Sequence, residues 1–226
     1  QVLNEDGDFI DCRLKGKIRL KGIKSTNPVA VGDVVVYENE NNTIISVKPR
    51  RNYLIRGSNN LSKYSHIIAS NMDLVILIAS HKNPRTSKGF IDRFLVTLEA
   101  FRIPGVIIFN KKDLYTEKEM KLYNELKEIY KNLGYRVYLS SFEQDVASVA
   151  EVFSERTSLI SGHSGAGKST LINQLIPSAQ QQVNEVSDFA NKGVHTTTFA
   201  ELFFMDSKSA LIDTPGIKEL ALSEIE

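Results

Sequence analysis

Two hydrophobic patterns divide the chain. Up to about residue 60, apolar positions come in short β-branched runs between polar turn clusters (EDGD, STNP, ENENN), with VVVY (34–37) and TIISV (43–47) flanking the last of these. Such runs predict short antiparallel strands, here a small barrel or sheet of OB-like type. From Asp73 the pattern changes. DLVILIA (73–79) and GVIIF (105–109) are continuous apolar runs, as expected of strands covered on both faces. Between them Phe90, Ile91, Phe94, Leu95, Leu98 and Phe101 recur at helical spacing. Thr116 and Glu119 have the spacing of a capping box, opening a helix that Gly134 stops. Strands are predicted at 135–140, 157–161, 199–205 and 209–213, and helices at 146–153 and 168–176, the second stopped by Pro177. Strands alternating with helices predict an α/β domain with a mostly parallel sheet. The expected division is an all-β domain over 1–62 and an α/β domain over 63–226. The polar stretch 178–195 has no period, and such long connections are commonly functional.

The chemistry lies at the strand ends. Gly162-His163-Ser164-Gly165-Ala166-Gly167-Lys168-Ser169-Thr170 follows a predicted strand and opens a predicted helix, the setting a phosphate-binding loop requires. Its glycines let backbone N–H groups turn toward phosphate oxygens, helped by the helix N-terminus. Lys168 supplies a point charge to the β- and γ-phosphates, and the Ser169 hydroxyl is a ligand for Mg²⁺. The bland reading is a glycine-rich turn, which the complete spacing disfavours.

Asn110-Lys111-Lys112-Asp113 ends another buried strand. The Asp113 carboxylate can accept from guanine N1–H and the 2-amino group, a donor pair adenine lacks. Asn110 and Lys111 would buttress this loop, Lys111 also covering the base with its stem. Ser140 and Ser141 end the next strand, where they can approach the guanine carbonyl. Alone, NKKD is a polar turn; beside a phosphate loop it selects guanine.

Asp213-Thr214-Pro215-Gly216 ends the last strand, the place for a carboxylate holding Mg²⁺ through water and a glycine N–H facing the γ-phosphate. Upstream, one threonine of GVHTTT (193–198) is expected to ligate Mg²⁺ when the γ-phosphate is present. Thr197 is the choice, with its two neighbours as alternatives. The position after Gly216 is Ile217, which cannot orient water as the glutamine of Ras-like enzymes does. His195 is the nearest candidate in sequence, against a partner's group or solvent and metal alone. Slow intrinsic turnover accelerated by a partner follows.

These elements occur as NKKD, SS, GHSGAGKS, HTTT and DTPG, with the base-reading loop before the phosphate loop. Joining the usual termini and cutting before the NKxD strand yields this order without moving any element in space. The sequence begins at Gln1 and stops ten residues after Gly216, so residues in front and a further domain or docking partner behind are expected. With PVAVGDVV (28–35), ASNMDLVILI (69–78) and IDRFL (91–95), the chain resembles the circularly permuted ribosome-assembly GTPases of the RsgA type. The resemblance implies GTP hydrolysis to GDP stimulated by the small ribosomal subunit, late in that subunit's maturation, with His195 as the catalytic candidate. It also implies a C-terminal Cys/His domain that binds Zn²⁺, for which this sequence has no residues.

Composition narrows the rest. A single cysteine, Cys12, excludes a disulfide framework. No run approaches the roughly 18 apolar residues of a membrane helix. A cytoplasmic monomer without a membrane partner is expected. Net charge is only +1, so an RNA partner has to be sought locally. In RLKGKIRLK (13–21), Arg13, Lys15, Lys17, Arg19 and Lys21 fall on one strand face. Like charges in a row repel unless a polyanion lies opposite, which favours RNA over lysines that merely protect a sheet edge; the resemblance implies that this RNA is 16S rRNA. The rival functions are a guanine-nucleotide-dependent RNA-binding switch with negligible hydrolysis and a P-loop kinase with an accidental NKKD.

Overall fold

The apolar run after Asp73 forms the middle of a six-stranded sheet. The computed structural model describes residues 1–16, 27–56, 66–177 and 200–214. The first seven strands are short: β1 (Val2–Leu3), β2 (Phe9–Ile10), β3 (Arg13–Leu14), β4 (Val35–Glu38), β5 (Thr43–Val47), β6 (Tyr53–Arg56) and β7 (His66–Ser70). They make a β1–β2 pair, a β3-β5-β4 sheet and a β6–β7 pair. The α/β part follows as β8 (Leu74–Ala79), α1 (Lys88–Ala100), β9 (Gly105–Phe109), α2 (Glu117–Asn132), β10 (Arg136–Leu139), α3 (Ala147–Ala150), β11 (Thr157–Gly162), α4 (Lys168–Leu175), β12 (Glu201–Phe204) and β13 (Ala210–Asp213). The expected helix over 146–153 is α3 plus a 3₁₀ turn at Glu151–Phe153 that turns Val152 and Phe153 into the core.

The sheet order is β10-β9-β8-β11-β13-β12, parallel throughout except for the edge pair β12–β13. Alternation along β8 explains its unbroken apolar sequence. Val75, Leu77 and Ala79 pack with α1 and α2, whereas Leu74, Ile76 and Ile78 pack with α3 and α4. Helix α1 starts where the Ser87 hydroxyl accepts from Phe90 N–H. At α2, Glu119 accepts from Thr116 N–H at 2.9 Å, and its hydrogen bonds to the Thr116 hydroxyl and N–H hold its carboxyl at about 2.

From β8 the chain steps outward through β9 to β10. It then returns to lay β11 on the other side of β8. That reversal opens a crevice at the carboxyl ends of β8 and β11, where ligands of open α/β sheets bind. The sheet thus begins one strand–helix unit before the NKxD strand.

A polar seam joins the amino-terminal strands to this sheet. Arg50 Nε and Nη2 donate to the two Asp33 carboxylate oxygens at 2.6 Å each, with both side chains almost wholly buried. Ser70 Oγ donates to the same carboxylate at 2.6 Å. Asn71 and Asn52 reach across to Gly32 O and Met72 O. Leu54, Ala69 and Met72 enter the same core as α1, and Phe9 of β2 rests on Phe204 of β12, centroids 6.1 Å apart. The predicted basic strand is represented by β3, parallel to β5, with Arg13 and Lys15 exposed. Leu14 is 47% exposed, so the side opposite the charges is not covered by core. Lys17, Arg19 and Lys21 lie outside the described residues.

Removing one member of the Asp33–Arg50 pair strands the other inside. Asp33→Ala is expected to lower unfolding free energy by about 3–5 kcal/mol, read from urea denaturation. Asp33→Ala combined with Arg50→Met is expected to recover much of that loss.

Candidate functional site

The phosphate loop begins where β11 leaves the sheet. Gly162 pairs with Ile78 of β8 so closely that a Cβ there would strike the Ile78 carbonyl. Gly167 has φ 109°, a conformation that favours glycine, and a Cβ on it would collide with Asn110 Nδ2. Between them Ala166 is fully buried, while Ser164 and Ser169 are exposed in the crevice. Thr170, the third residue of α4, is half-buried. Lys168 Nζ donates to Gly162 O at 2.8 Å and His163 O at 3.0 Å. The loop is thereby curled around its own ammonium group.

The Asn110 carboxamide joins three loops. Its Nδ2 donates to Ala166 O at 2.9 Å in the phosphate loop. Its Oδ1 accepts from Phe142 N–H at 3.0 Å, just past the two serines. With its side chain 3% exposed, this residue brings the base-reading and phosphate loops together despite their inverted order. Tyr115 supports it from below, its hydroxyl donating to Asn110 O at 2.9 Å and accepting from His81 N–H at 3.0 Å.

The remaining base-side residues have divided roles. Ser141 Oγ donates to Asp113 Oδ1, leaving the other Asp113 oxygen unengaged by it. Asp113 is exposed at the mouth of the crevice. Ser140 Oγ donates to Asp145 O at 2.9 Å, and Ser140 N–H is used on Phe109 O. Both serine hydroxyls therefore build the loop and orient Asp113. Lys111 takes a left-handed conformation, φ 66° and ψ 37°, and its Nζ donates to Asn83 O. Lys112 N–H donates to Ser140 O at 3.1 Å, with its side chain exposed.

On the far side β13 delivers Asp213 beside Ile160 of β11, and Thr214 Oγ1 donates to Ile160 O at 3.1 Å. Asp213 Oδ1 is buried and accepts no hydrogen bond among the described residues. An orphaned carboxylate oxygen facing a phosphate loop fits a cation or the water it carries. Burial raises the Asp213 carboxyl above its usual range, with Lys168 opposing. Burial likewise lowers Lys168, with Asp213 opposing. Glu201, opposite Asp213 on β12, is raised by burial and then by Asp213. His195, Thr197 and Gly216 lie outside the described residues.

Sequence reasoning did not assign Tyr115, His81, Phe142, the 81–86 loop or Glu201. The loop packs along the site: Pro84 Cδ lies 3.7 Å from where a Cβ of Gly165 would be, and the Phe90 ring meets His163 at 4.2 Å between centroids. Only Tyr115 left a sequence signal, as the aromatic ending FNKKDLY.

A phosphate loop and a guanine-reading loop on one parallel sheet, with the base loop first along the chain, define a circularly permuted P-loop GTPase. A model described as RsgA GTPase matches residues 47–223, and one described as RsgA N-terminal domain matches 1–45; the chain belongs to the RsgA GTPase family. It is 46% identical over its whole length to small ribosomal subunit biogenesis GTPase RsgA 2 of Bacteroides thetaiotaomicron, covering 74% of that protein. It is 47% identical to the RsgA of Christiangramia forsetii, again covering 74%. Among solved structures, YjeQ from Thermotoga maritima superposes with a TM-score of 0.72 at 33% identity, over 98% of this chain and 72% of that one. YloQ, a circularly permuted GTPase, gives 0.64 at 30% identity, over 98% of this chain and 68% of that one.

Asn110→Ala would leave Ala166 O and Phe142 N–H buried without partners, each at about 1–3 kcal/mol. The expected outcome is GDP affinity reduced roughly tenfold or more, since each 1.4 kcal/mol is a factor of about ten, measured by calorimetry. A second expectation concerns pH. Burial, and then Arg85, holds His81 below its ordinary value of 6.5, with Glu119 opposing. Below about that pH the unfolded chain takes a proton that the fold refuses, so stability falls as pH drops from 6.5. His81→Phe, which keeps the stack on Phe109, is expected to shrink the melting-temperature difference between about pH 7.5 and 5.5.

Proposed function

We propose that this chain hydrolyses GTP to GDP and phosphate, is stimulated by the small ribosomal subunit, and acts late in maturation of that subunit in the cytoplasm. The observation that carries this reading is Asn110 binding the base-reading loop to the phosphate loop, so that one guanine nucleotide spans both. The small ribosomal subunit biogenesis GTPases to which the chain is similar support the ribosomal part.

Asp113 reads the guanine edge, held in place by Ser141. Backbone N–H groups of residues 163–170 bind the phosphates at the start of α4. Lys168 exchanges its two loop carbonyls for β- and γ-phosphate oxygens. The Ser169 hydroxyl, the Thr197 hydroxyl and, through water, the Asp213 carboxylate would hold Mg²⁺. When bound, that ion offsets charge on the phosphate oxygens as the terminal bond breaks. Gly216 N–H faces the γ-phosphate. His195 orients the attacking water, the task Ile217 cannot perform.

The first 62 residues serve as an OB-type RNA-binding domain and 63–226 as the GTPase domain. Arg13 and Lys15 are exposed as this requires. The ion pair of Lys15 with Glu38, 3.4 Å apart and open to water, is too weak to withhold it from phosphate. Lys17, Arg19 and Lys21 extend the stripe toward 16S rRNA. The protein acts as a monomer without a membrane partner; among the described residues no helix is long and apolar enough to cross a membrane. Zn²⁺ has no role within these residues.

Turnover measured with and without small subunits tests the reading. Subunits are expected to accelerate hydrolysis, and GDP to bind far more tightly than ADP. With five phosphate contacts the affinity for subunits is expected to fall about a hundredfold between 50 and 200 mM salt. His195→Ala is expected to lower the stimulated rate about a hundredfold. A rate indifferent to subunits would leave a nucleotide-binding switch instead.

A further inference from the structure

Strand β12 places Glu201 directly opposite Asp213 in the antiparallel register. Opposed residues project from the same face of a sheet, with Cβ atoms about 4.5–5.5 Å apart. The face is the one that carries α4, because Phe203 and Leu211, the next opposed pair on it, pack into the core beneath that helix. Glu201 therefore points to the phosphate-loop side of the sheet, and it is half-buried there.

The charge balance at this spot is incomplete. Asp213 and Glu201 form no ion pair with another described residue, and Asp213 Oδ1 accepts no hydrogen bond from one. Lys168 is the cation acting on Asp213, and the nucleotide reading commits it to the phosphates. Two adjacent, partly buried carboxylates are relieved by a proton or by a further cation once Lys168 turns from Asp213 to the phosphates. Hard divalent cations are held by carboxylates and by waters that carboxylates accept.

We propose that Glu201 is a positioning residue for the magnesium ion, its carboxylate accepting from water carried by the ion held at Ser169 and Asp213. The ion is then retained by two carboxylates rather than one. The strand that follows the 178–199 connection contributes directly to the cation's surroundings. This inference rests on the guanine-nucleotide reading above, and it assigns Glu201 no part in the chemical step.

Release of a fluorescent GDP analogue from the full chain, titrated with magnesium, tests it. For Glu201→Gln, which keeps size and removes charge, the magnesium concentration that half-maximally slows release is expected to rise about tenfold, the usual effect of losing an outer-shell partner. Release in excess EDTA is expected to stay as in wild type, the nucleotide-free melting temperature to stay or rise as the repulsion with Asp213 is removed, and Glu201→Asp to fall between the two. An unchanged half-maximal concentration in Glu201→Gln overturns the assignment, as does a change of equal size in EDTA. If Glu201→Gln does not fold, the same titration of Glu201→Asp decides. Failure of the wild type to bind the analogue would overturn the nucleotide reading itself, whereas magnesium-dependent release that the substitution leaves unaltered removes only Glu201.

Discussion

The site depends on one carboxamide. Asn110 is placed by β9, yet both of its side-chain bonds go elsewhere, to Ala166 O and Phe142 N–H. A buried amide satisfied on both ends holds its loops in one arrangement, because releasing either bond strands a polar group out of reach of water. The crowding around it is mutual: Gly167 has no side chain where Asn110 Nδ2 sits. The NKxD loop, the loop after β10 and the glycine-rich loop are thereby made parts of one rigid unit. A permuted chain needs such a connection, since its sequence no longer keeps those loops in their familiar succession.

Beneath this lies the sheet. With α1 and α2 on one face and α3 and α4 on the other, β8 and β11 are both fully covered and diverge in connection at their carboxyl ends. The crevice is a product of that reversal. Tyr115 and His81 carry the core upward into the site: the His81 ring stacks on Phe109 at 4.8 Å while its backbone donates to the Tyr115 hydroxyl. The NKxD loop is thereby anchored to the hydrophobic packing of Phe109 and Tyr115 at its two ends.

Much of this was legible in the sequence, for identifiable reasons. β9 was read to the residue because a strand covered on both faces admits only apolar side chains over its whole length. The phosphate loop was read because its backbone demands glycine at fixed intervals. What escaped were contacts made by tertiary approach. The partner of Asn110 lies 56 residues away, and nothing in either segment announces the other. The Ser141 hydroxyl bonds Asp113, 28 residues away, and neither segment announces that contact. Asp33 and Arg50 lie 17 residues apart, and neither segment announces the pairing that, with Ser70, puts them almost out of solvent. Glu201 lies in a predicted strand, and only its register with Asp213 gives it a direction.

The strand order also governs how the protein is made. Synthesis delivers β8, β9 and β10 first, and these neighbours pair as they emerge. One flank of β8 then waits, its backbone groups unpaired, until β11 has been translated some eighty residues after β8 began. An interior strand of the finished domain is, for that interval, an open edge of the nascent chain, the kind of surface that attracts misplaced pairing. Translation pauses between the codons for residues 80 and 157 would lengthen that exposure, and swift elongation or a chaperone on β8 would shorten it.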